Sequence, residues 1–151
     1  MKSLLVVYHS QSGACASLAK AVSLGAYAET SCETKVLRAC DASVEDLALA
    51  DGLLLVAAEN SGALAGGMKD FLDRTFYPAI EKNLILPYAL LISAGNDGRG
   101  AAAQAQRILS GYPFPAATEA LILRGQVTQS HRVASEELGL AFATGLVMGI
   151  F

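Results

Sequence analysis

The stretch His9-Ser10-Gln11-Ser12-Gly13-Ala14-Cys15 has the residue types and spacing to hold an anion. It follows an almost fully apolar run, Leu4-Leu5-Val6-Val7-Tyr8. It precedes apolar residues at helical spacing, Leu18, Ala19, Val22 and Leu24. A strand that turns through such a segment into a helix leaves main-chain N–H groups without intrahelical partners. With the positive end of the helix dipole behind them, those groups suit a phosphate. Ser10 and Ser12 add hydroxyl donors, and Gly13 lets the chain turn where a side chain would obstruct. A plainer reading of the same residues makes Ser12 an N-cap and Gly13 a tight turn.

The elements that must position this loop follow from hydrophobic periodicity. Residues 3–8 predict a strand buried on both faces, the pattern of a parallel sheet between helices. Residues 14–27 predict a helix, Cys32–Leu37 a strand nearer an edge, and Ser43 the cap of a short helix with Glu45 and Asp46 in its first turn. Leu53–Ala58 is a second unbroken apolar strand, ending in the polar turn Glu59-Asn60-Ser61-Gly62. A helix is expected over Ala63–Phe76, with Met68, Phe71, Leu72, Thr75 and Phe76 inward. Its pairs Lys69/Asp73 and Asp70/Arg74 are expected to be a solvated face. Leu84–Ser93 predicts a strand followed by the loop Ala94–Gly100, then a helix over Ala101–Leu109. Glu119–Leu123 predicts a last strand and Ser130–Gly149 a last helix, with Ser135 and Glu136 near a helical turn start.

Strands alternating with helices predict one α/β domain over residues 1–151, with five parallel strands in the order 2-1-3-4-5. The glycine-bearing polar loops at 9–15, 58–66 and 94–100 follow the first, third and fourth strands. In that order they meet in one crevice where strand order reverses. The ends of the other two strands, at Arg38 and Arg124, look less specialised.

The chain has 151 residues, 53% of them hydrophobic, and carries a net charge of −3 with no basic cluster. That argues against nucleic acid and against an anionic membrane surface as partners. No run approaches the roughly 18 to 20 apolar residues of a membrane helix, and the amino-terminal segment reads as a buried strand instead of a signal peptide. Cys15, Cys32 and Cys40 show no CxxC spacing, and with two histidines no metal site is expected. Reduced thiols in a cytoplasmic protein are the simpler expectation. Cys15 at a helix start has two readings: a thiolate favoured by the dipole, or a small buried filler. No GxGxxG, GxxxxGK[ST] or GxSxG motif is present, and Ala57-Ala58 stand where a receiver domain needs an aspartate.

Three segments resemble the flavodoxin-like superfamily of NAD(P)H-dependent FMN and quinone reductases. Ser10-Gln11-Ser12-Gly13-Ala14-Cys15 partly matches its phosphate loop, [ST]-x-[ST]-G-x-[ST]. The run from Glu59-Asn60-Ser61-Gly62 through Lys69, Phe71, Asp73, Arg74 and Tyr77-Pro78 is similar to a segment of an oxidoreductase branch. So is Ser93-Ala94-Gly95-Asn96-Asp97-Gly98. The resemblance implies a flavodoxin-like three-layer α/β/α sandwich and an FMN cofactor. It places Ser10, Gln11, Ser12, Gly13, Ala14 and Cys15 at the FMN phosphate. It sets Glu59, Asn60, Ser61, Gly62, Ala63 and Leu64 along the isoalloxazine ring, and Gly95, Asn96, Asp97 and Gly98 on its other side. Where the family commonly has a hydroxyl, a proline and an aromatic, this chain has Cys15, Ala58 and Ser61.

The activity implied is electron transfer from NAD(P)H, as co-substrate, to a quinone, a flavin or a similar small-molecule acceptor. The chemistry belongs to the flavin, so no side chain is assigned as a catalytic acid or base. Two other classes stay open: a flavodoxin-type electron carrier, and a degenerate member with weak or no flavin binding. Family reductases act as dimers or tetramers, which implies a homo-oligomer. Leu138–Phe151 and Phe76-Tyr77-Pro78 are the expected contacts.

Overall fold

A computed structural model describes all residues from Met1 to Phe151. In chain order the elements are β1 (Lys2–Tyr8), α1 (Ala14–Tyr27), β2 (Cys32–Arg38), α2 (Val44–Ala48), β3 (Gly52–Asn60), β4 (Ala63–Leu64), α3 (Gly66–Glu81), β5 (Tyr88–Ala94), α4 (Arg99–Gly111), β6 (Leu121–Arg124) and α5 (Gln129–Met148). The sheet order is β2-β1-β3-β5-β6, every neighbouring pair parallel. This is the predicted 2-1-3-4-5 arrangement once the two-residue β4, antiparallel to the end of β3, is set aside.

The pleat sends alternate residues to opposite faces. Leu5, Val7, Leu53, Leu55, Leu90 and Ile92 meet α3 and α4 on one side. Leu4, Val6, Leu54, Val56, Ala89 and Leu91 meet α1 and α5 on the other. Two helical layers therefore explain the unbroken apolar runs. No helix is long and apolar enough to cross a membrane.

Helices α1 and α5 approach at two glycines. A Cβ on Gly25 would strike the Glu136 carbonyl, and one on Gly139 would strike the Val22 carbonyl. Ser135 and Glu136 therefore lie inside a helix capped at Thr128, where the Thr128 hydroxyl accepts the His131 N–H at 3.2 Å, and not at a turn start.

Several boundaries differ from expectation. Residues 63–64 pair back onto β3, so α3 starts at Gly66 and continues to Glu81. Residues 84–87 lie outside the sheet and β5 begins at Tyr88. The polar side of α3 is more than a solvated face. Arg74 bonds Asp70 at 2.8 Å, but also donates to the carbonyls of Ala39 (2.7 Å) and Ala42 (3.0 Å), tying α3 to the segment after β2.

Candidate functional site

The loop after β1 turns at Gly13, whose φ of 100° is a conformation that glycine reaches without strain. Gly13 is the N-cap of α1 and no side chain caps that helix. The Ser10 hydroxyl accepts the Gly13 N–H at 3.1 Å, so it stiffens the loop. Ser17 N–H reaches the Gly13 carbonyl at 3.0 Å. The N–H groups of Ser12, Ala14, Cys15 and Ala16 meet no protein acceptor. Four unpaired donors thus open onto the positive end of a 14-residue helix.

Cys15 takes no part in this polar rim through its thiol. Its side chain is buried in the core with Leu18 and Val22, and burial pushes the thiol up to about 11. Burial disfavours a thiolate there, and the position fits the buried-filler reading.

The end of β3 is built as a hairpin. Glu59 pairs with Leu64 and Asn60 with Ala63. The connecting Ser61 (φ 51°) and Gly62 (φ 77°) both adopt the positive φ that a type I′ turn demands. The Leu64 N–H donates to Gln104 Oε1 at 2.7 Å, anchoring the hairpin on α4. On the other side Asn60 Nδ2 donates to Gln11 Oε1 at 2.6 Å, joining the hairpin to the β1 loop.

Glu59 connects the third loop. Its Oε1 accepts the Gly98 N–H at 2.9 Å and its Oε2 the Ala101 N–H at 3.1 Å. Gly98, the N-cap of α4 with φ 90°, has no side chain for this task. Asp97 pairs with Arg99 at 2.6 Å, and the hydrogen bonds from the Arg99 side chain and main chain hold its carboxyl down at about 2. Arg124 Nε donates to the Asp97 carbonyl at 2.7 Å, linking β6 to the same loop.

These segments border one crevice of about 710 Å³ at the carboxyl edge of the sheet. That volume lies within the ~300–1,000 Å³ usual for small-molecule sites. Its walls are Gln11–Cys15, Ala58–Asn60, Ser93–Gly95 and Gly125–Val127, with His9, Ser17 and Arg132. Among the residues singled out from sequence, Gln11, Ser12, Gly13, Ala14, Cys15, Glu59, Asn60 and Gly95 line it. Ser10 is bonded within the loop, Ser61–Leu64 form the hairpin tip beside α4, and Asn96–Gly98 lead into α4; none of these lines the crevice.

Sequence reasoning missed the loop after β6. Gly125–Val127 forms a fourth wall, and Arg132 in the first turn of α5 lines it too. Gly125, with φ 82°, directly follows a strand, and Thr128 caps the next helix. Those two residues were the available signal. His9 was also unassigned. Its ring packs on Gly67, where a Cβ would overlap it.

The residues present fit the phosphate of FMN: the N–H groups of Ser12, Ala14 and Cys15 are free on residues that line the crevice, and the one carboxylate in the lining, Glu59, is bonded to the start of α4. The crevice also has room for a larger body between Ala58–Asn60 and Ser93–Gly95. No Phe, Tyr or Trp lines it, so the walls that would flank a ring are small side chains and backbone.

No protein-family model matches the chain, and a search of curated proteins finds no sequence relative. Solved structures do resemble it. A flavodoxin from the domain Archaea superposes with a TM-score of 0.83 at 20% identity, covering 96% of this chain and 99% of that one. A WrbA-like flavodoxin from Agrobacterium tumefaciens gives 0.77 at 15% identity, covering 98% and 99%. The flavodiiron protein from Giardia intestinalis gives 0.82 at 16% identity, covering 98% of this chain but 37% of that one. The chain has the flavodoxin-like α/β fold.

Proposed function

We propose that the crevice binds FMN and that the protein is an FMN-dependent oxidoreductase, taking electrons from NAD(P)H and passing them to a quinone, a flavin or a similar small acceptor. The observation that carries this reading is the set of unpaired N–H groups at Ser12, Ala14 and Cys15, on residues that line a crevice bounded by the ends of β3 and β5. A phosphate there would be held by neutral donors and the α1 dipole. Bound flavin supplies the hydride and electron chemistry.

The chain's own residues orient and support. Gln11 and Asn60 brace the two loops across the crevice. Glu59 fixes the hairpin relative to α4. No protein group is assigned a proton transfer. An electron carrier uses an acidic collar to dock its redox partners. Here Glu59 is the only carboxylate lining the crevice, and both its oxygens accept from α4. That favours a small-molecule acceptor. The carrier reading draws on one observation, the end-to-end likeness to the archaeal flavodoxin.

Titration with FMN, followed by quenching of flavin fluorescence, tests the cofactor. Absence of saturable binding at micromolar protein overturns the reading. Oxidation of NADH or NADPH with a quinone, by the FMN-loaded protein, then separates reductase from carrier. On this reading the 151 residues form one flavin domain that self-associates. The contacts would be Phe76-Tyr77-Pro78 and Leu138–Phe151, where Tyr77, Leu140, Met148, Ile150 and Phe151 are exposed. Light scattering that returns the 15.6 kDa monomer overturns self-association.

A further inference from the structure

Of the six arginines, Arg107 and Arg132 make no ion pair and no side-chain hydrogen bond, and of these two only Arg132 lines the crevice. Arg38 and Arg99 pair with Asp41 and Asp97, Arg74 bonds Asp70 and two carbonyls, and Arg124 bonds the Asp97 carbonyl. Arg132 makes no ion pair and no side-chain hydrogen bond, and it is exposed on the crevice wall. It is the only cationic side chain lining that crevice. Its backbone is fixed, since the Arg132 N–H bonds the Thr128 carbonyl at 3.1 Å in the first turn of the 20-residue α5.

Two helix N-termini beside it favour an anion. Helix α1 presents its N-terminus with four free donors, and α5 begins right after the Gly125–Val127 wall. The one acid in the wall, Glu59, is turned onto the N-terminus of α4. A phosphate held by N–H groups alone gains hydrogen bonds but no ionic partner. A guanidinium adds a charge-assisted, bidentate contact that discriminates a dianion from a neutral hydroxyl.

The geometry points to Arg132 as the residue that makes this crevice specific for a phosphate monoester, selecting FMN over riboflavin. The inference rests on the reading of the crevice as a flavin site and names the residue that sets its selectivity. Arg132 acts as a binding residue and takes no part in electron transfer.

The test compares FMN and riboflavin affinities in the native protein, Arg132→Gln and Arg132→Lys, at low and high salt. Expected is an FMN affinity that falls roughly ten-fold or more in Arg132→Gln, with riboflavin unchanged. The salt dependence of FMN binding should fall with it. Arg132→Lys should restore part of both. An FMN-to-riboflavin preference that survives in Arg132→Gln overturns the inference and leaves the flavin reading intact. Failure of the native protein to bind either flavin overturns the flavin reading instead. Inorganic phosphate then decides on Arg132. A rise in melting temperature with phosphate that Arg132→Gln abolishes supports a phosphate monoester site for another ligand. An equal response in both proteins overturns it. The residue is exposed and unbonded, so both variants are expected to fold with native stability.

Discussion

The carboxylate of Glu59 caps a helix that begins 40 residues later: Oε1 receives the Gly98 N–H at 2.9 Å, and Oε2 receives the Ala101 N–H at 3.1 Å. A glycine at the N-cap of α4 leaves that helix with no cap of its own, and the missing acceptor comes from the end of β3. The same contact presses the hairpin tip onto α4, where the Gly62 carbonyl sits against Gly100. One side chain therefore closes a helix end and fixes one wall of the crevice.

Removing that acceptor should be felt as lost stability. Glu59→Ala leaves the Gly98 and Ala101 N–H groups without partners in a half-buried place. It should cost about 1–2 kcal/mol, the usual worth of a charged helix cap. Glu59→Gln keeps one good acceptor and should cost less. Urea denaturation of both variants measures this. Equal stability of Glu59→Ala and the native protein would show that the cap contributes nothing.

Gly13 is the second point where local geometry and ligand binding meet. Its φ is 100°, and a Cβ there would meet nothing within 4 Å. Gly13→Ala is therefore a test of backbone strain without steric collision. The strain is about 1–2 kcal/mol, the cost of a left-handed conformation for an L-residue. If the chain relieves it by turning, the free N–H groups of Ser12 and Ala14 on either side are reoriented. FMN affinity should then drop by about ten-fold, read by fluorescence titration. Unchanged affinity would place the phosphate elsewhere.

The parallel strands are legible in the sequence because each is an apolar run that only a sheet covered on both faces explains, as at Leu4–Val7 and Leu53–Val56. The hairpin is not. Ala63 and Leu64 look like the start of a helix, and what makes them a strand is the turn at Ser61-Gly62 together with Gln104 on α4. Such a contact has no local signal. The wall after β6 is hidden for a different reason. That strand is four residues long and mostly half-buried, so it carries little periodicity, and nothing near Gly125 resembles a ligand motif. Arg132 reaches the crevice wall from the start of α5, a helix that packs closely on α1 at Gly25 and Gly139, a tertiary placement with no local signal.

Acid should loosen the corner that holds α2. Asp46 accepts from Lys35 Nζ at 2.7 Å, from the Ser43 N–H at 2.9 Å and from the Ser43 hydroxyl at 3.0 Å. Burial works against its charged form, but these hydrogen bonds outweigh it and hold its carboxyl below the ordinary value. A carboxyl depressed in the folded state stabilises the protein at pH values above its unfolded value. That contribution is lost as the pH falls through the folded value. Native stability should therefore decline below about pH 4, near the unperturbed aspartate range. Asp46→Asn should be less stable by about 1 kcal/mol at neutral pH, with the difference shrinking in acid. A constant difference across that range would remove the charge of Asp46 from the explanation.

The three thiols should separate cleanly by reactivity. Cys40 is exposed, whereas Cys15 and Cys32 are buried. Burial pushes Cys15 up to about 11, and raises Cys32 as well, with the nearby carboxylates of Glu29 and Asp51 adding to the effect. Only a thiolate attacks an alkylating reagent. At pH 7 the native protein should therefore react at Cys40, with Cys15 and Cys32 modified only after denaturation. Mass spectrometry after brief iodoacetamide treatment identifies the site. Rapid labelling of Cys15 in the folded protein would mean that its thiol reaches the crevice as a thiolate. The start of α1 would then be a reactive centre as well as an anion cradle.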